Sequence, residues 1–426
     1  MKKRYILLFT GLALGLSWAN RGHFGHEWGA SWAGAAGVMA LIAILKKKEW
    51  IQNLPVLTLL GGIGWGAAGM ASYGILIGYC YGNDFLNVSY GYTMLAIVGG
   101  LYGFIGGGFL GLGLETSEEK RPNWPALLTQ MVAWGILFWG FFIYQLEWFM
   151  TPPRSELWAA CFGGCIALFW YLYREGFHGA LRVACYTALG AGFGFTVGNF
   201  IQLNGHLSDV SYNWWNVMEF TLGFCGGTGM AYAVSTGTWP KPLHRSKRQN
   251  LVALLIIFLI FPFINFVEGF TKEYFYQELP ERLGIENIEG FIHVNMSMLW
   301  LLIILAVTIA IIAWKKMQKF PYQMALLLVF IISLHYTLFS YFRNGMFYKG
   351  LHWEHSETMY LVILLAMGTT WFLNKRNEGI GDTAITRPGP SSGWIKLLVA
   401  LVVVILVITA ISLNIHDGLP NASKRF

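Results

Sequence analysis

Of the 426 residues, 55% are hydrophobic and 16% aromatic, and only 12% carry charge, about half the charged share of an ordinary soluble domain. Apolar residues come in runs of roughly twenty, the helix length that crosses about 30 Å of hydrocarbon. That excludes a string of soluble domains and predicts an all-α polytopic integral membrane protein, since lipid offers backbone groups no partner. The net charge of +7 is broken into short clusters between apolar runs, so it points to a lipid bilayer and not to nucleic acid.

Taken in chain order, the apolar runs predict about thirteen transmembrane helices: 5–19, 29–45, 54–79, 90–114, 126–149, 157–173, 180–203, 214–236, 250–267, 296–314, 322–341, 357–373 and 394–413. With the amino terminus inside and the carboxyl terminus outside, strict alternation leaves 21 of the 29 basic residues on the inner side. The Lys2–Arg4, Lys46–Lys48 and Lys315–Lys319 clusters are among them, as the positive-inside rule requires for the cytoplasmic face of a bacterial inner membrane. The first run also fits a second reading, a signal peptide cleaved after Ser17-Trp18-Ala19; residue 20 is outside in either case.

Three regions follow: a four-helix unit over 1–118, a second over 119–240, and a five-helix C-terminal bundle over 241–426 with an acidic outer loop at 268–295. The first two read as a tandem 4+4 repeat. Glu27, Gly34 and Gly61 return as Glu156, Gly163 and Gly190 at a constant offset, and Val88-Ser89-Tyr90 returns as Val210-Ser211-Tyr212. Glycines four residues apart, as in Gly99/Gly103/Gly107/Gly111 and Gly190/Gly194/Gly198, predict helices packed backbone to backbone.

Polar chemistry gathers on one side. Eight of the ten His and 15 of the 22 acids fall outside or at outer helix ends. Arg21, His23, His26 and Glu27 form one cluster, and Arg343, His352, Glu354 and His355 another of matching composition. Asp84 lies in a third, and Asn199, Asp209 and Glu219 in a fourth. An Arg here suits a bidentate clamp on an anionic group, with His and Glu as proton carriers. The His and Glu spacings match no helical metal motif, so no metal is assigned. Glu219 and His335 fall inside predicted spans, where an ionisable group is costly and so suggests a coupling role.

The five cysteines sit in apolar runs and make no disulfide framework. No phosphate-binding loop, dinucleotide fingerprint or nucleophile elbow is present, and no cofactor is expected. Two functions remain in view. One is an ion- or proton-coupled secondary transporter for a small hydrophilic solute such as a sugar or organic acid. The other is a membrane-embedded enzyme working at the extracytoplasmic face on a glycan or lipid-linked substrate.

Overall fold

The computed structural model describes residues 3–153, 155–270, 273–348, 357–375 and 393–426. Among them all regular structure is helical. The elements are α1 (Lys3–Arg21), α2 (His26–Leu45), α3 (Lys48–Gln52), α4 (Leu54–Gly69), α5 (Gly74–Cys80), α6 (Phe85–Glu115), α7 (Trp124–Trp139), α8 (Trp158–Arg174) and α9 (His178–Leu207). They continue with α10 (Trp214–Ser235), α11 (Lys247–Leu255), α12 (Phe261–Gly269), α13 (Leu279–Leu283), α14 (Ile288–Lys316), α15 (Pro321–Arg343), α16 (Thr358–Lys375) and α17 (Gly393–Ile415).

Each expected span contains a helix, but fewer are both long and apolar enough to cross a membrane on their own. Eight continuous helical stretches among the described residues are, with α7 running on to Gln145 and α11 running through α12 to Gly269, and a ninth forms if α4 and α5 count as one bent span. The expected thirteen is therefore not reached by this measure. α10 carries Asn216 and Glu219, α1 ends in Asn20-Arg21, and α8 has 17 residues. Such helices are carried by partners more than by their own hydropathy.

The core is a closed ring in which α1, α2, α4, α6, α9 and α10 each pack on the next and α10 returns to α1. Glycine makes this possible. A methyl group at Gly99 of α6 would sit 2.6 Å from the Ala191 carbonyl oxygen of α9, and one at Gly223 of α10 would sit 2.6 Å from that of Leu14 in α1. The backbones touch, and dispersion replaces the hydrophobic drive that lipid removes. Glycine also shapes the interior. Gly34 of α2, Gly106 of α6 and Gly226 of α10 line a slot filled by the indole of Trp65. That ring packs on Trp18 at 5.0 Å, and Trp18 on Tyr102 at 5.5 Å. All three are at most 1% exposed.

The remaining helices surround the ring. The α7–α8 hairpin stands outside it, whereas the α1–α2 hairpin is part of it. α11 packs on α4, α12 and α15 on α2, and α16 on α1. α17 does not join them. It lies against α6 and α9 across the ring, where the Tyr92 hydroxyl meets Ser412 Oγ at 2.9 Å. Of the five helices expected to form the C-terminal bundle, α17 thus packs on the ring. Peripheral helices keep apolar faces outward: only 22% of the α17 window and 28% of the α14 window is buried, against 83% of α6. Within the acidic 268–295 loop the described residues form short helices, with a small apolar core of Phe275, Leu279, Ile285 and Phe291.

Two opposite ends result. The histidine face carries the α1–α2 and α9–α10 connections and the 273–287 segment. The lysine face carries Lys46–Lys48, the 236–246 connection and the α14–α15 turn.

Candidate functional site: a buried Arg–Tyr–Glu cluster beneath the histidine face

α4 and α5 would be one span but for a break at Met70–Tyr73, where the axis turns by 62°. Gly69 and Gly74 bracket Ser72 and Tyr73, and small flexible residues at both edges weaken helix continuity. Backbone carbonyls freed by a break in a membrane need new donors. The Tyr102 hydroxyl of α6 donates to the Ala71 carbonyl. The break turns the Tyr73 side chain toward α1 and α10, and there the site forms.

On α10, Trp215 and Glu219 are four residues apart and share a face. The Trp215 indole N–H donates to Glu219 Oε1 at 3.2 Å. Asn213 caps this helix by accepting from the Asn216 N–H. Arg21 ends α1 and reaches across: Nη1 lies 3.2 Å from Glu219 Oε1 and donates to the Tyr73 hydroxyl at 2.7 Å. The Tyr73 hydroxyl in turn donates to the same Oε1. Below, the guanidinium sits 5.2 Å over Trp18 and 5.4 Å over Tyr73, both cation–π distances. Arg21 is 2% and Glu219 1% exposed. One carboxylate oxygen thus takes three donors. The other, Oε2, has no hydrogen-bond partner among the described residues and lies beside Gly22.

Above this cluster is a cavity of about 570 Å³ lined by Arg21, His23, Ser72, Tyr73, Trp215, Glu219, Glu268 and Arg343, among others. Arg343 is held by its Nε donating to the Gly269 carbonyl at 3.0 Å and by the Tyr274 ring at 4.2 Å. Burial, together with the positive charges of Arg343 and Arg282, pushes the His23 imidazole down to about 3, so His23 is neutral at physiological pH. The chemistry on offer is a neutral imidazole, a carboxylate with one unbonded oxygen, a guanidinium bound to that carboxylate, and a phenol between them.

Of the residues expected to bind solute, Arg21, His23 and Arg343 meet in this cavity, and Glu219, expected to couple, meets them there. Others lie elsewhere. Glu27 is partly buried near Glu268 but does not line the cavity. Asp84 caps α6 through the Asn87 N–H and borders a separate hollow filled out by the C-terminal tail. Asp209 is exposed on the α9–α10 connection. Asn199 is fully buried on α9 beside the Cys80 thiol, one turn from Gln202, and apart from the cavity. His335 is buried against Trp32 at 5.0 Å and Phe339 at 5.8 Å and is not among the residues lining the cavity. Its neighbours are aromatic because α15 presents that face to α2. The side chain of His26 and all of His352, Glu354 and His355 lie outside the described residues.

Sequence reasoning missed Tyr73 and Trp215. The available signal was a polar Ser72-Tyr73 pair between two glycines inside an apolar run, which marks a broken span. Among the described residues no group of three or more His, Cys, Asp or Glu side chains comes together as a metal site. Comparison with protein-family models, curated proteins and solved structures finds no match to this chain.

Proposed function

We propose that this chain is an ion- or proton-coupled secondary transporter of the bacterial cytoplasmic membrane. It takes up a small hydrophilic solute from the histidine face, which the distribution of basic residues puts outside. All thirteen helical rods then cross the bilayer, α1, α8 and α10 sheltered by their neighbours. One observation carries the reading: a buried carboxylate, Glu219, is bonded to a guanidinium through one oxygen, and its other oxygen has no hydrogen-bond partner among the described residues at a cavity wall. A proton arriving at Oε2 cancels the charge that holds Arg21. The freed guanidinium then pairs with an anionic group of the solute, so proton and solute bind together. An organic acid suits this exchange better than a neutral sugar. The cavity volume falls within the usual range for small-molecule sites, and the α4–α5 break is the kind of discontinuous helix that transporters use at such sites.

The test is uptake by purified protein in liposomes across a panel of organic acids and sugars. Glu219→Gln mimics the protonated carboxyl, so solute exchange persists while accumulation driven by a proton gradient is lost. Accumulation equal to wild type overturns the coupling role.

A second reading has its own support. Trp18, Trp65 and Tyr102 fill the ring beneath the cavity, and glycine contacts lock the helices around them. A closed floor suits a membrane-embedded enzyme that handles a glycan or lipid-linked substrate from the outer side, with Glu219 as acid or base and Trp215 as a stacking surface. Turnover of such a substrate in liposomes, with no solute crossing in any variant, decides for it.

A further inference from the structure

The lysine face holds a second concavity, of about 460 Å³, which the site above does not use. It is bordered by Lys48 of α3, His244 and Arg245 of the 236–246 connection, Lys247 and Asn250 of α11, and Trp314 and Lys315 of α14. Four of these side chains are cationic and none of the lining residues is acidic. None of the four pairs with a carboxylate among the described residues.

The groove is built and not a chance gathering of surface lysines. Asn53, 4% exposed, clamps the connection from below: its Nδ2 donates to the Leu243 carbonyl at 3.0 Å and its Oδ1 accepts the Arg245 N–H at 3.0 Å. Ser246 and Gln249 then cap the start of α11 reciprocally. Arg245 is thereby held half-buried, and burial with the nearby Arg121 draws it below the usual arginine range while leaving it charged. Asn250, 3% exposed, gives its Nδ2 to the Arg245 and Ser246 carbonyls, and its Oδ1 has no partner among the described residues. Fixed cations thus stand beside a buried acceptor that lacks a donor. An anion bearing a hydroxyl or ammonium group satisfies both.

We propose that this groove binds a phosphate-bearing anion, its charge on Arg245, Lys247, Lys48 and Lys315 and a neighbouring donor on Asn250 Oδ1. Phosphate fits because two to four cations at mixed geometry neutralise it well, Arg by a planar fork and Lys as point charges. Two sources share this chemistry: the headgroup of an anionic phospholipid and a free phosphorylated solute. The surroundings favour lipid. Met317, Pro321 and the Trp314 indole form the apolar side of the groove, and Val252, Ile312 and Phe320 nearby are exposed at the bundle surface where acyl chains would run.

The experiment follows the thermal unfolding of the purified full-length protein in a neutral detergent, titrated separately with phosphatidylglycerol, phosphatidylcholine and inorganic phosphate. Phosphatidylglycerol raises the melting temperature saturably and phosphatidylcholine does not. Each of Arg245→Gln, Lys247→Gln and Lys315→Gln raises the lipid midpoint about fivefold. Asn250→Asp, which puts a negative charge at the groove, abolishes the response. Lys316→Gln/Lys319→Gln, which removes neighbouring cations outside the lining, leaves it unchanged. Saturation by inorganic phosphate with the same dependence on variants supports the site and assigns it to a soluble anion. Three outcomes overturn the proposal: no saturable response to either anion, equal loss in the Lys316/Lys319 control, or an unaltered midpoint in all three groove variants. Because Lys247 and Lys315 are exposed, their variants fold even where Asn250→Asp does not.

Discussion

The two concavities at opposite ends of one bundle handle charge in opposite ways. At the histidine face Arg21 and Glu219 are almost wholly buried, and each is answered by the other, by Tyr73 and by an aromatic neighbour. At the lysine face four cations line a groove with no carboxylate among them. The difference follows from solvent. Removing a charge from water costs several kcal/mol even after relaxation, so inside the bundle it must be paired. At the membrane surface water and counterions screen an unpaired lysine, and leaving it uncompensated costs little. Pairing therefore marks the first site as structurally obligatory, and its absence marks the second as available to a ligand.

The largest effect expected from breaking this contrast is at Arg21. Arg21→Met leaves Glu219 buried without its cation and destabilises the protein by about 3–5 kcal/mol, as removal of one partner of a buried pair does. Lys247→Met at the other end changes stability by less than about 0.5 kcal/mol. Chemical denaturation in detergent reads both. Arg21→Met combined with Glu219→Leu recovers most of the loss, because the pair itself is close to neutral against apolar replacements. A loss of similar size for Lys247→Met, or no rescue in the double variant, removes the basis of the comparison.

A smaller effect is expected at Tyr73. Tyr73→Phe keeps the ring against Phe195, 4.8 Å away, but removes the hydroxyl that accepts from Arg21 and donates to Glu219. The expected cost is about 1–3 kcal/mol. In the transport assay the variant also shows weakened solute binding, since Arg21 is no longer positioned. A cost well below that range means that the hydroxyl is replaceable by water and that the cluster is wetter than its burial implies.

The smallest effect concerns pH. His23 is held neutral in the fold, with its affinity for protons lowered to about 3, while in the unfolded chain it titrates near 6.5. Its contribution to stability is therefore complete above about pH 6.5 and is lost progressively as pH falls toward 3, because the unfolded state takes up the proton first. One proton limits the slope to about 1.4 kcal/mol per pH unit. His23→Gln flattens the fall in melting temperature between pH 6.5 and 4.5. Parallel curves for variant and wild type show that His23 titrates normally and is open to water.

Much of this was legible in residue order. Each apolar run holds a helix, and the four-residue glycine spacing anticipated contacts such as Gly99 against Ala191 and Gly223 against Leu14. The sorting of polar residues to one side put forward Arg21, His23, Arg343 and Glu219, which the fold brings to one cavity. The same sorting also put forward Asp84, a helix cap, and Asp209, an exposed loop residue, because side of the membrane does not distinguish a wall of a cavity from its rim. His335 was indicated by depth alone, and depth does not say that its neighbours are Trp32 and Phe339.

Apolarity, helical period and glycine spacing are properties of a few neighbouring residues, so the sequence by itself determined the all-helical class and the positions of the rods. Which faces meet is a property of the assembled surfaces. Arg21 and Glu219 are 198 positions apart, and they pair because α1 and α10 interlock through glycines that close the ring. Tyr73 joins them because α4 and α5 bend within that ring, and α17 lies against α6 and α9, where Ser412 meets the Tyr92 hydroxyl. In lipid, burial from water no longer chooses among faces, and the choice passes to close packing and to the pairing of buried polar groups, which only the folded structure decides.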